Sequence, residues 1–120
     1  MRYDTSRTGI VIDSNTGLEW QQTVSAKMFS WNEAGAYADS LELQGNKWRI
    51  PTINELMSII DYGEFDPAID KNIFGNILGM LYWTSSLYQK YSGYFWTVSF
   101  IDGTTYFDYL DSRHKVRCVR

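Results

Sequence analysis

Two short strings, W-R-I-P-T-I-N-E-L from Trp48 to Leu56 and V-R-C-V-R from Val116 to Arg120, set charged residues among groups that a folded chain buries. An arginine withdrawn from water needs a carboxylate or carbonyl oxygens to receive its guanidinium. Arg49 and Glu55 bracket Pro51, so Arg49 can pair with Glu55 across a helix start or with backbone carbonyls. Arg117 stands between two apolar strand neighbours and has the same need. Any fold open to this chain must deliver polar partners to both. The strings read as the wiring of a fold, not as a catalytic motif.

The segments around them carry local signals. Gly9 to Asp13 and Leu18 to Trp20 flank Ser14-Asn15-Thr16-Gly17, which predicts an N-terminal hairpin with Gly17 at positive φ. Asp13, Asn15 and Gly17 echo a calcium loop, but the rest of that pattern is missing and a plain turn suffices. Ser30-Trp31-Asn32-Glu33 is a capping box, and Trp31, Ala34, Ala38 and Leu41 follow at helical spacing up to a stop at Gly45. Thr52-Ile53-Asn54-Glu55 is a second capping box. Ile53, Leu56, Met57 and Ile60 give its helix an apolar face, and Gly63 ends it. An extended Lys47 to Pro51 joins the two helices. The stretch from Asp61 to Lys71 is irregular and acidic. Asp61, Glu64, Asp66 and Asp70 have the oxygens for a divalent cation, but their spacing matches no calcium loop. Ile73 to Leu81 adds a helical turn.

The second half is strand-like. Tyr82 to Ser86 favours a strand. From Tyr94 to Phe100 the residues alternate, with Tyr94, Trp96, Val98 and Phe100 on one face and Phe95, Thr97 and Ser99 on the other. Asp102-Gly103 marks a hairpin turn. Thr104 to Tyr109 returns with Phe107 inward, and Lys115 to Arg120 forms a last strand. Alternation thus assigns Trp83, Trp96, Phe100 and Phe107 to the core. A hairpin, two helices and an antiparallel sheet make an α+β chain. No repeat or composition break divides residues 1–120, so one domain is expected.

Charge and composition narrow the function. The net charge is −3 with a pI near 5.0, which gives no global case for nucleic acid. Asn32 to Asp70 holds eight acids and two bases, whereas Tyr88 to Arg120 holds five bases and three acids. The C-terminal part would meet anions more willingly than the whole, unless those charges are a solvated surface. One cysteine, Cys118, and one histidine, His114, exclude an internal disulfide and zinc clusters. No apolar run reaches membrane-span length, so insertion is not expected. The N-terminal residues do not read as a signal peptide, which leaves a cytoplasmic protein or a domain excised from an exported one. There is no glycine-rich phosphate loop, nucleophile elbow or H-E-x-x-H pair, and no cofactor or metal site is expected. His114 lies in a polar turn. Cys118 falls on the inward side of a strand, where cysteine acts as a small hydrophobe. No two carboxylates stand out for glycoside hydrolysis.

Aromatic residues make up 17% of the chain, and eleven of the twenty lie between Tyr82 and Tyr109. Tyr88, Tyr91, Tyr94, Tyr106 and Tyr109 are hard to bury together. Tyrosines on loops and strand faces give large contact area at low entropic cost, and they stack on sugars. Asp108 and Arg113 add polar contacts. These seven residues form the candidate ligand site. The alternative is a sheet edge with its hydroxyls in water.

Taken in order, the strings resemble a known family. They are T-G-L-E-W (Thr16 to Trp20), W-N-E-A-G-A-Y-A (Trp31 to Ala38), W-R-I-P-T-I-N-E-L, P-A-I-D (Pro67 to Asp70), Y-W-T-S-S (Tyr82 to Ser86), W-T-V-S-F (Trp96 to Phe100) and V-R-C-V-R. Over nearly the whole chain they resemble the bacterial domain family named for the C-terminal domain of the Legionella collagen-like adhesin. The resemblance implies a C-type-lectin-like fold with the terminal strands close together. It also implies a cell-surface or secreted setting and a non-catalytic adhesion module that recognises a glycan, sulfated or otherwise anionic, or a protein. The namesake assembles as a trimer, which makes a homo-oligomer or scaffold domain one alternative. The formylglycine-generating enzymes share the broad fold, which makes an enzyme of that or a hydrolase type another. Their cysteine pair is absent here, as are the E-P-N, Q-P-D and W-N-D motifs of calcium-dependent lectins. Many members carry a cysteine where this chain has Ala38, and the resemblance implies that it pairs with the one in V-R-C-V-R. Here Cys118 lacks that partner, which leaves export to an oxidising compartment less assured.

Overall fold

Both arginines find partners in the computed structural model, which describes residues 2–75 and 81–120. The N-terminal hairpin forms as expected. Strands β1 (Tyr3–Asp4), β2 (Ile10–Asp13) and β3 (Glu19–Gln21) make an antiparallel sheet in that order, with Ile12 opposite Glu19. Gly17 takes φ +76° in the β2–β3 turn, a conformation that favours glycine. The Asp13 carboxylate is occupied by the Arg2 guanidinium, at 3.0 and 2.9 Å, and by the Asn15 amide. Asp13 therefore closes a plain turn.

Helix α1 (Trp31–Ser40) starts on the Ser30–Glu33 capping box and buries Ala34 and Ala38. It ends at Ser40, ahead of the Gly45 stop expected from sequence; Gln44, Gly45 and Lys47, all at positive φ, shape the loop beyond. Helix α2 (Ile53–Met57) starts on the Thr52–Glu55 box and is only five residues long. It ends at Ser58, whose hydroxyl donates to the Glu55 carbonyl, so Gly63 plays no part in stopping it. Helix α3 (Lys71–Phe74) is capped by Asp70 and begins before the expected Ile73–Leu81 turn. Residues 76–80 of that expected turn lie outside the described residues.

Strands β4 (Leu81–Leu87), β5 (Tyr94–Ser99) and β6 (Thr105–Tyr109) form a second antiparallel sheet. The β5–β6 turn needs glycine twice over. Gly103 sits at φ +82°, and a Cβ there would meet Ile60 Cγ2 at 2.8 Å.

The expected last strand is not a ladder strand. Residues 114–120 instead run through the middle of the molecule on isolated bridges. His114 pairs with Phe29, Lys115 with Tyr82 in parallel, and Val119 with both Trp20 and Arg49. The Glu19 amide donates to the Arg120 carbonyl at 2.9 Å, and the Gln21 amide to the Cys118 carbonyl at 3.0 Å. The N-terminal hairpin and the C-terminus therefore meet.

This segment separates two apolar clusters. One gathers Val11, Trp20, Leu56, Ile69, Tyr82, Val98, Phe100 and Val119 between the sheets and α2. The other gathers Ala34, Ala38, Trp48, Trp83, Val116 and Cys118 against α1. Arg117 is fully buried, with Nη1 donating to the carbonyls of Gln21 at 2.6 Å and Gln22 at 2.7 Å. Arg49 forms a two-pronged pair with Glu55 at 2.7 and 2.8 Å. The architecture is α+β, with two three-stranded antiparallel sheets and short helices.

Candidate ligand-binding face

Strands β5 and β6 carry the site because they outrun the core. Val98 and Phe100 are buried against Tyr82, Val11 and Leu56. On the same face of β5, toward the β4–β5 loop, that cover ends. Trp96 is half-buried there and Phe107, its partner on β6, is 41% exposed. Alternation assigned both to the core; it identifies the face correctly but not how far the core extends along it. This is the main correction to the sequence reading.

Tyr88, Tyr91, Tyr94 and Tyr109 gather on this face with the two residues that sequence placed inside. Tyr88 stacks on Phe107, with centroids 4.0 Å apart and planes 11° from parallel, and meets Trp96 edge-on at 5.0 Å. Tyr91 lies 5.7 Å from Tyr94, and Tyr94 lies 5.3 Å from Tyr109. The loop before β5 is tied down: the Tyr88 amide donates to the Tyr94 carbonyl, and Leu110 to that of Gly93. Gly93 sits at φ +78°, where a Cβ would meet the Tyr109 ring at 2.9 Å. The rings are therefore held by backbone as well as by one another. Lys90 stands at the border, its Nζ 5.7 Å from the Tyr91 centroid.

Three predicted site residues are elsewhere. Tyr106 pairs with Thr97, so it points to the opposite face of the sheet. Asp108 shares that face, where Oδ2 is 2.8 Å from His114 Nε2 and Oδ1 accepts from the Ser112 hydroxyl at 2.9 Å. Burial alone would raise the Asp108 pKa, but the His114 contact and the neighbouring amide and hydroxyl hold it below the usual carboxylate value. Arg113 Nη1 donates to Glu33 Oε1 at 2.8 Å, tying the C-terminal segment to the start of α1. The one sequence signal for Trp96 and Phe107 is their position: both are aromatic residues at the end of an alternating face, beside the loop rich in tyrosine.

A concavity of about 630 Å³ lies apart from this face, over α1, and is lined by Lys27, Met28, Phe29, Glu33, Tyr37 and Arg113 among others. Its floor is the stacked pair Phe29 and Tyr37, with centroids 4.9 Å apart. Sequence gave no signal for it, because it joins a loop to a helix across the chain. The acids Asp61 and Asp70 border a smaller hollow of about 260 Å³. Among the described residues, no three His, Cys, Asp or Glu side chains converge as metal ligands. No helix among them is long and apolar enough to cross a membrane.

Comparison with curated proteins finds no match. A family model does match, and it covers residues 9–120. That span takes in both capping boxes, both arginine strings, the aromatic face and the buried C-terminal segment, and it places the chain in the family of the Lcl C-terminal domain.

Proposed function

We propose that this domain is a non-catalytic recognition module of C-type-lectin-like architecture, acting in adhesion at a cell surface or in a secreted protein. Its ligand is a glycan held on the aromatic face. The observation that carries this reading is the ring strip itself. Tyr91 on the β4–β5 loop and Phe107 and Tyr109 on β6 each keep more than 40% of their surface in water, although the sheet they border has its other half in the core. Unspent aromatic area with phenol hydroxyls suits stacking plus hydrogen bonding to a sugar. The meeting of the terminal segments and the two small sheets support the lectin-like reading. The family resemblance to an adhesin supports the setting.

The thiol supports a non-catalytic role. Burial pushes the Cys118 pKa up to about 12, far from a reactive thiolate. The test is a glycan array with the parent domain, Tyr91→Ala, Phe107→Ala and Tyr106→Ala. We expect hits that weaken about tenfold in the first two variants and stay unchanged in Tyr106→Ala, the loss of one stacked anchor being worth about 1–3 kcal/mol. An array with no hits removes the glycan reading. If these two variants then shift the sedimentation coefficient, the face is a subunit interface instead.

A further inference from the structure

Much of the basic character of the C-terminal third is tied into the fold. Arg113 pairs with Glu33, and Lys115 Nζ donates to the carbonyls of Ser25 at 2.9 Å and Ala26 at 2.7 Å. Arg117 is buried on its two carbonyls. Arg120 donates to Glu19, Asn46 and Gln44, and its guanidinium lies 4.3 Å from the Trp48 ring centroid. Of the five bases between Tyr88 and Arg120, Lys90 is the one that stands beside the aromatic face. The carboxylate of Asp108 is turned away, toward His114. The face therefore offers rings and phenol hydroxyls, and among the described residues Lys90 is the one Lys or Arg that lies over a ring of this face.

Resting on the reading of this face as a glycan site, we infer that its ligand is an uncharged saccharide chain. A sulfated or carboxylated chain carries repeated charges that keep their hydration unless cations meet them. A single border lysine does not meet a series of charges. An uncharged pyranose lays its C–H edges on the rings and turns its hydroxyls to the phenols. Tyr91, Tyr94 and Tyr109 follow one another at 5.7 and 5.3 Å between centroids with planes turned by 60° and 57°, so successive sugar units would meet the rings one at a time and not on one flat platform. This also separates the charge reading of the sequence from its use: of the five bases in 33 residues, Lys115, Arg117 and Arg120 are built into the fold, and Arg113 pairs with Glu33 at the surface, where their side chains stay 61% and 50% exposed.

The experiment is titration calorimetry of the intact chain with cellohexaose, mannohexaose, chitohexaose and a β-galactan oligosaccharide. Heparin and dextran sulfate are the charged probes. We expect binding to at least one uncharged probe, changing less than about twofold between roughly 0.05 and roughly 0.5 M salt. Lys90→Glu should leave that affinity within about twofold, and Tyr91→Ala should weaken it about tenfold. Binding confined to heparin or dextran sulfate, falling steeply with salt and lost in Lys90→Glu, overturns the inference; if Tyr91→Ala also abolishes it, the face as a glycan site stands. Binding to none of the six probes overturns the inference and the glycan reading of the face together.

Discussion

Arg117 exchanges its hydration for two carbonyl oxygens and the Phe74 ring, whose centroid lies 5.1 Å from its guanidinium carbon. Its Nε and Nη2 have no hydrogen-bond partner among the described residues. Burial lowers its pKa from 12.5 to about 10, against the opposing pull of Tyr82, so it still carries its charge at neutral pH. A buried cation so thinly partnered adds little net stability, yet its removal leaves the Gln21 and Gln22 carbonyls empty beside a cavity. Arg117→Ala should therefore cost about 3–5 kcal/mol, read as a fall in the urea midpoint. Arg117→Lys should recover less than half of that: an ammonium can replace Nη1 on the two carbonyls, as Lys115 Nζ does at Ser25 and Ala26, but it has no planar face to cover the Phe74 ring and leaves the guanidinium's volume unfilled. Full recovery by lysine would show that the charge matters and the planar guanidinium does not.

At the scale of elements, the second capping box serves a helix too short to stand alone. Five residues lie below any length at which propensity sustains a helix, so α2 depends on its cap and on Leu56 in the core. Glu55 does two jobs there. Its Oε1 accepts from the Thr52 amide at 2.9 Å, and its two oxygens take the Arg49 fork. The Arg49 contact, more than burial opposes, holds the Glu55 pKa below the usual carboxylate value. A lowered acid pKa contributes stability that is complete above the unfolded value and is lost as pH falls through the folded one. With Arg49 half in water, Glu55→Gln should cost about 1 kcal/mol at neutral pH and nothing once the carboxylate is protonated. Urea midpoints of parent and variant should converge on acidification below pH about 4; a gap constant with pH would mean that packing, not charge, is lost. These elements are legible because each cap is local: four consecutive residues specify it. Strand faces are legible for the same reason, since alternation is a property of neighbours. The depth of burial along a face is not. What covers Val98 and leaves Trp96 half in water is α2 and the N-terminal sheet, some forty to ninety residues away. The grouping of the candidate residues was accordingly half legible. Tyr88, Tyr91, Tyr94 and Tyr109 follow from surplus tyrosine, whereas Asp108 and Arg113 find partners that sequence distance conceals.

At the scale of the molecule, the last seven residues hold the structure together. They bridge β3, the Arg49 segment, β4 and the Phe29 segment, and they divide the two apolar clusters. Contacts between residues this far apart in sequence close long loops, so the denatured state has much entropy for a crosslink to remove. Ala38 and Cys118 lie in the same cluster, both shut off from water, one on α1 and the other on the terminal segment. Ala38→Cys supplies Cys118 with a partner across that cluster. Oxidised, the variant should lose two mass units on disulfide formation and gain up to about 4.5 kcal/mol, the chain-entropy value for closing a loop of about eighty residues. Reduction should return its thermal midpoint to that of the parent or slightly below, since a second buried thiol replaces a methyl group. Without the crosslink, the Cys118 thiol should react with iodoacetamide only as fast as the chain unfolds. A variant that stays reduced under air, with rapid labelling of both thiols in the folded state, would mean that the terminal segment does not lie against α1. The arginine strings would then brace something other than the fold described.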